Sequence, residues 1–326
     1  MQMNTLGRTG LEISEIAFGA GVTGGILIKA DEVTRIAALK RAVAAGINWI
    51  DTAALYGDGA SEESIGRHIE VLSPRPQVST KVRIEFDQMN DIAGAIERGL
   101  EQSLKRLRLN SLALFQLHNQ LGSAVGNRPT LTPEQVLRPG GVADTFARLR
   151  EQGLFQASGM TAAGDTAACL EVIKSGRFDC AQVYYNALNP SAAWRRAPKG
   201  WKAQDFSGIV AACFLENMGM LNIRVFAGGP LATPRRAEHL AVLTSGTDVE
   251  NEYRCAAAVQ AALGAEYGTL PQAALRFVLG NRDIASRVVG IGEIAQIDEA
   301  LAAVSAGPLP TVAVSRLEAL WANDFR

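Results

Sequence analysis

The sequence predicts an α/β fold: a (β/α)8 TIM barrel with an N-terminal β-hairpin and extra C-terminal helices. Three observations predict it. Short strand-like segments alternate with longer helical patterns along all 326 residues. Several of the eight strand candidates are continuously apolar, as a parallel strand buried on both faces requires. No Pro-, Gly- and Ser-rich linker divides the chain, so residues 1–326 are expected to form a single domain. A doubly wound sheet uses the same βαβ units, but the first strand-to-helix connection reads GAGVTGG and lacks G-x-G-x-x-G spacing. Its glycines are read as loop residues over the barrel mouth.

Taken in order, MNTLGRTGLEI is a hairpin, with Gly7 and Gly10 allowing turns, expected to plug the bottom of the barrel. EIAFG (15–19) is the first strand, followed by EVTRIAALKRAVAAG (32–46), which has an imperfect apolar stripe through Val33, Ile36, Leu39 and Val43 and ends at Gly46. INWI is the second strand. The helix after it is expected to begin at Ser61 as N-cap, with Glu62 and Glu63 favourably placed in its first turn. QVSTK (77–81) precedes the most periodic helix, with Ile92, Ile96, Leu100, Leu104 and Leu107 on one face. SLALFQLH (111–118) leads through a loop to a helix carrying Val142, Phe146 and Leu149, closed by Gly153. LFQASG (154–159) and CAQVYYN (180–186) are each followed by a helix, TAACLEVIKSG and DFSGIVAACFLENMG. LNIRVFAGG (221–229) precedes helices around 249–265 and after Pro271; RVVGIG (287–292) precedes IAQIDEALAAV and a terminal VSRLEALWANDF helix.

Composition narrows the function classes. With 32 basic and 33 acidic residues and only the short basic runs KRLR and WRR, no nucleic-acid partner is expected. Four cysteines without C-x-x-C spacing read as free thiols of a reducing compartment. No apolar run reaches signal or membrane length, so no membrane association and a cytoplasmic location are expected. His68, His118 and His239 lie far apart and outside any metal-ligand spacing, so no metal is expected.

In a barrel, the carboxyl ends of the strands converge on the open face, where Asp51, Tyr56, Lys81 and His118 would meet. Each alone has an ordinary reading, as a turn cap, a loop ring, a surface amine or a quiet core imidazole. The set makes chemical sense together. A buried lysine needs an acid, and Asp51 is the candidate. Carbonyl reduction by hydride needs a proton donor, and a phenol, with an ordinary pKa of about 10, serves when a cation favours its phenolate. Tyr56 would then be the acid/base, Lys81 its cation, Asp51 the anchor and His118 the group orienting the substrate oxygen. The same arrangement run backwards oxidises an alcohol or lactol.

The chain resembles the aldo-keto reductase superfamily, through LGRTGLEISEIAFG, GINWIDTA-x-x-YG with SEESIGR, STK, LFQLH and VVGIGEIAQIDEAL in order over nearly its whole length. The resemblance implies a nicotinamide cofactor extended across the barrel mouth and the tetrad Asp51, Tyr56, Lys81 and His118. It further implies that Gln182 bonds the carboxamide, Tyr185 stacks on the nicotinamide ring, and Thr161 of GMTAAG supplies a hydroxyl where Ser-Asn often stands. Gly228 and Gly229 of VFAGGPLA, with Phe226 beside them, would cradle the pyrophosphate. Gly292 and Glu293 stand where users of the 2′-phosphorylated cofactor commonly carry Arg or Lys, which favours NAD, with NADP the alternative through Arg282 or Arg287. Ala300 replaces an asparagine frequent near the adenine.

Within the superfamily the chain looks like the bacterial sugar dehydrogenase and pyridoxal dehydrogenase branch. The expected reaction is NAD(P)-dependent oxidation of an aldose or similar lactol to a lactone. Alternatives are a general NAD(P)H-dependent aldehyde or ketone reductase, a pyridoxal 4-dehydrogenase and a cofactor-sensing channel subunit. The expected partner is thus a small carbonyl, sugar or lactol, selected by the loops 119–140 and 187–204, where Trp194 and Trp201 would stack on a substrate or anchor their loop. Arg195 and Arg196 leave an acidic substrate open.

Overall fold

Eight parallel strands close into a barrel in the computed structural model, which describes residues 1–123, 128–234, 242 and 244–325. The hairpin pairs β1 (Met3–Thr5) with β2 (Glu12–Ser14). The barrel strands are β3 (Ile16–Gly19), β4 (Trp49–Asp51), β5 (Gln77–Val82), β6 (Leu112–Leu117), β9 (Phe155–Ala162), β10 (Cys180–Tyr184), β11 (Gly219–Ile223) and β12 (Ser286–Gly290), and β12 closes against β3. Two short strands, β7 (Gln120–Leu121) and β8 (Thr130–Leu131), pair in the excursion between β6 and β9. Around the barrel lie α1 (Ile26–Lys29), α2 (Glu32–Ala44), α3 (Ala60–His68), α4 (Ile92–Leu107), α5 (Pro133–Leu137), α6 (Val142–Glu151), α7 (Thr166–Lys174), α8 (Ile209–Leu215), α9 (Val249–Leu263), α10 (Leu270–Leu279), α11 (Ile294–Ala306) and α12 (Thr311–Ala322).

The predicted order of elements holds, and the differences have local causes. β9 runs three residues past LFQASG, while β11 stops at Ile223, leaving VFAGG as a turn. Ser61 is not an N-cap. Gly59 in a left-handed conformation (φ 88°) caps α3 two residues earlier, and the Ser61 hydroxyl, fully buried, lies 2.8 Å from Thr52 Oγ1 and donates to the Ala20 carbonyl at 3.0 Å. Glu62 is likewise buried rather than solvated: it meets Arg106 of α4 at 2.7 Å and accepts from Thr80 of β5.

Because side chains alternate across a strand, every second residue enters the barrel, and the interior is layered. The lowest layer is apolar: Ala17, Trp49, Leu114, Ala157, Cys180 and Leu221 pack with Leu6 and Ile13 of the hairpin. Leu6 is fully buried beneath them, so close to Gly219 that a Cβ there would lie 2.6 Å from Leu6 Cγ. The hairpin therefore plugs the bottom of the barrel, with the Arg8 guanidinium fastened to the carbonyls of Gly176, Phe178 and Glu216.

The layer above is polar. Trp49 Nε1 donates to Ser79 Oγ at 2.9 Å, and Ser79 donates in turn to Asp51 at 2.8 Å. The four cysteines are free and buried. No single helix among the described residues is long and apolar enough to cross a membrane; His239 lies outside the described residues.

Candidate active site

The carboxyl ends of the strands surround a cavity of about 560 Å³ into which Asp51, Tyr56 and His118 open. Lys81 lies directly beneath, with a fully buried side chain. Its ammonium donates to Asp51 Oδ2 at 2.7 Å, to the Thr52 carbonyl at 2.7 Å and to the Tyr56 hydroxyl at 3.4 Å. Burial works against the ammonium, but Asp51 and Tyr56 outweigh it and hold the Lys81 pKa above its ordinary value. The other Asp51 oxygen accepts from Ser79, from Gln182 Nε2 at 2.9 Å and from Gln116 Nε2 at 3.2 Å. A carboxylate so completely bonded is fixed in place, and it fixes the lysine in turn.

His118 follows β6 with its ring edge-on to Tyr56, the centroids 5.8 Å apart. Burial, then the charges of Lys81, Arg83 and Arg224, push its pKa down to about 3, so the imidazole is neutral at physiological pH. Its buried Nδ1 has no hydrogen-bond partner among the described residues. The four residues expected to converge do so.

The cofactor residues fare unevenly. Gln182 lines the cavity, but its amide is committed to Asp51. Tyr185 is corrected: it is buried behind the barrel, stacked on Phe277 of α10 at 5.2 Å, and does not line the cavity. Strand alternation is the reason, since the inward residues of β10 are Cys180, Gln182 and Tyr184. Tyr184 takes the position at the mouth, stacked on Phe206. Thr161, Phe226, Gly228, Gly229 and Gly292 all line the cavity. Gly228 and Gly229 adopt φ of 82° and 149°, which only glycine takes easily, and they follow Ala227, itself at φ 53°. Glu293 is the exposed N-cap of α11 beside Gly292, and it does not line the cavity. Gln296 lines it instead and accepts from the Gly292 N–H at 2.7 Å.

Arg287 and Arg282 do not reach this space. The Arg287 guanidinium is buried and spent on the carbonyls of Val278, Leu279 and Asn281, and neither arginine lines the cavity. Trp194 and Trp201 pack edge to face at 5.0 Å and extend the cluster to Trp321 and Phe325 near the C-terminus. They anchor their loop rather than line the main cavity. Ala300 is buried in α11.

These residues fit a nicotinamide nucleotide. The Thr161 hydroxyl is buried, without a partner among the described residues, at the cavity wall, which suits a carboxamide. Gly228 and Gly229 after β11 and Gly292 after β12 leave room for a diphosphate against backbone N–H groups. Sequence reasoning passed over Ser79 and Gln116, although each lies two residues before a tetrad member on the same strand face. It also passed over Tyr184 and over Arg83, Arg128 and Arg224 at the mouth.

Comparisons with known proteins agree with this fold. An L-galactose dehydrogenase of Arabidopsis thaliana is 24% identical over 311 residues, covering 94% of this chain and 88% of that protein. Aldo-keto reductase YhdN of Bacillus subtilis is 34% identical over 125 residues, 36% of this chain and 38% of its own. Among solved structures, the holo form of aldo-keto reductase AKR11C1 from Bacillus halodurans superposes with a TM-score of 0.73 at 20% identity, over 98% of this chain and 96% of that one. An aldo/keto reductase of Klebsiella pneumoniae, solved with NADP and acetate, gives 0.70 at 18% identity, over 98% and 95%. Both likenesses show the fold. The family match itself runs over residues 15–322, from the first barrel strand through α12, and with the tetrad in place the chain belongs to the aldo/keto reductase family.

Proposed function

We propose that the protein oxidises the anomeric hydroxyl of an aldose or similar lactol to a lactone, with NAD as the preferred acceptor. The observation that carries the chemistry is the buried chain from Asp51 through Lys81 to the Tyr56 hydroxyl, opening beside a neutral His118. A bound nicotinamide nucleotide supplies the hydride exchange at the substrate carbon. Thr161 and the glycines 228, 229 and 292 would hold it. Tyr56 moves the proton at the substrate oxygen, accepting it in oxidation and returning it in reduction, while the Lys81 ammonium stabilises the phenolate. A neutral His118 orients that oxygen by a hydrogen bond.

The sugar assignment draws support from the similarity to a plant L-galactose dehydrogenase over nearly the whole chain. The preference for NAD draws on the carboxylate of Glu293 at the start of α11 and on Arg282 and Arg287 lying away from the cavity. Against it stands the Klebsiella relative solved with NADP.

The test is steady-state turnover of an aldose panel, pyridoxal and simple aldehydes with each nucleotide. Lactone formation from aldoses supports the reading; reduction of aldehydes without aldose oxidation replaces it with the general reductase. Tyr56→Phe should lower kcat by about 10²- to 10⁴-fold with nucleotide binding retained. Unchanged turnover would remove Tyr56 from its role.

A further inference from the structure

Among the described residues three arginines, Arg83, Arg128 and Arg224, line the cavity, Arg83 with Glu85 behind it, against one carboxylate, Asp51, whose charge is already taken by Lys81. Such an excess of cation in a partly enclosed mouth favours a negatively charged occupant. The cofactor diphosphate accounts for only part of it. Strand order around the barrel is β10, β11, β12, β3, β4, β5, β6, β9, so β5 lies directly across from β11. Arg224 follows β11 and stands with the glycine turn that would receive the diphosphate. Arg83 follows β5, two residues past Lys81, and Arg128 lies in the excursion after β6. Both are therefore on the wall opposite that turn, on the side of His118.

Those two arginines are also built into position. Asn119, fully buried and next to His118, accepts from the Ile84 N–H at 2.8 Å. Its amide donates to the Ile84 carbonyl at 2.8 Å and to the Pro129 carbonyl at 3.1 Å. One side chain thus ties the backbone adjoining Arg83 to the backbone adjoining Arg128. Thr130 adds a bond to the Arg128 carbonyl at 3.0 Å. Glu85 aims the Arg83 guanidinium, at 2.6 Å, and does not line the cavity itself. Among the described residues Arg128 makes no ion pair, which leaves its fork free for a planar oxyanion.

We infer that the substrate carries an oxyanion, a carboxylate or a phosphate, seated against Arg83 and Arg128 while its reacting carbon lies beside Tyr56 and His118. This rests on the oxidoreductase reading and narrows it to acidic lactols and aldehydes. Arg83 and Arg128 select the substrate and Asn119 positions them.

Matched substrates test it: glucose against glucuronate and glucose 6-phosphate, and butanal against succinic semialdehyde. The expected result is a kcat/KM at least about tenfold higher for a charged member of a set, carried mostly by KM. The favoured member, carboxylate or phosphate, identifies the anion. Arg128→Gln and Arg83→Gln should each shrink that preference by about tenfold, and Arg128→Lys should keep part of it.

Binding of the same compounds to the Tyr56→Phe protein with nucleotide present, read by calorimetry, separates the two readings. A preference for the charged twin in binding, with no turnover of any twin by the unaltered enzyme, overturns the lactol oxidation and keeps the anion site. Turnover of neutral and charged twins within about twofold of each other overturns the anion site alone. Loss of nucleotide affinity in Arg128→Gln with the substrate preference intact would assign the arginine to the cofactor and also overturn it.

Discussion

A lysine side chain with no solvent contact sits one residue from the end of β5, and the site is organised around it. Its ammonium is tolerable because Asp51 and the Thr52 carbonyl lie at 2.7 Å, so removing the acid should strand a buried charge. Asp51→Asn is expected to lower stability by about 3 kcal/mol in chemical denaturation, together with a large loss of kcat. His118 makes a prediction about pH. Its pKa falls from 6.5 unfolded to about 3 folded, so the unfolded chain binds the extra proton between those values. The neutral ring costs nothing above about pH 6.5, and stability is lost progressively as pH falls toward 3. At about pH 4.5 the loss from this group should be on the order of 2–3 kcal/mol, and His118→Asn should abolish that share when denaturation midpoints at about pH 7 and 4.5 are compared. The tetrad was legible in the sequence because its members lie at or just after strand ends and because a buried lysine beside an acid calls for a chemical reason. Tyr184 and Tyr185 were not separable in the same way: two adjacent tyrosines differ only by strand phase, which depends on where β10 begins.

At the scale of elements, the periodic helices follow the sequence closely, and the ends of elements do not. α4 is delimited by the Asp91 side chain accepting from the Gly94 N–H, and its stripe through Ile92, Ile96, Leu100 and Leu107 is buried as the spacing demands. α3 departs from expectation because a polar residue at a helix start has two uses that sequence cannot distinguish, capping or bridging. Ser61 and Glu62 both bridge. Glu62 joins α3 to α4 through Arg106 and to β5 through Thr80, so Arg106→Ala should leave a buried carboxylate unpaired and cost about 3 kcal/mol in denaturation. On the proposed reading the start of α11 bears on nucleotide choice: Glu293 caps it beside Gly292, where a carboxylate would oppose a 2′-phosphate and a cation would attract one. Glu293→Arg is expected to raise the NADP-to-NAD ratio of kcat/KM by about tenfold; an unmoved ratio would mean that nucleotide choice is made elsewhere.

Across the whole molecule, the two ends of the barrel have different tasks, and their separation is a matter of layers. The bottom layer is apolar and sealed by Leu6 and Ile13, the middle is the hydrogen-bonded group of Trp49, Ser79, Gln116 and Asp51, and the top is the open mouth. The alternation of strands and helices made the barrel legible from sequence, because parallel strands buried on both faces leave few other architectures. The cavity lining was less legible, because Arg83, Arg128 and Arg224 come from three connections whose approach depends on the closed ring. The layering carries a consequence for the hairpin. Leu6 is fully buried against Gly219 at the bottom, and the middle polar layer lies between it and Lys81. Leu6→Ala should therefore open a cavity under the barrel and lower stability by about 3 kcal/mol, while the strand ends at the mouth keep their register. Denaturation should record that loss, and kcat/KM per folded molecule should stay within about twofold of the unaltered enzyme. A parallel fall in kcat/KM at temperatures where the variant remains folded would show that the plug sets the geometry of the tetrad through the Trp49 to Asp51 chain, and that the two ends are coupled.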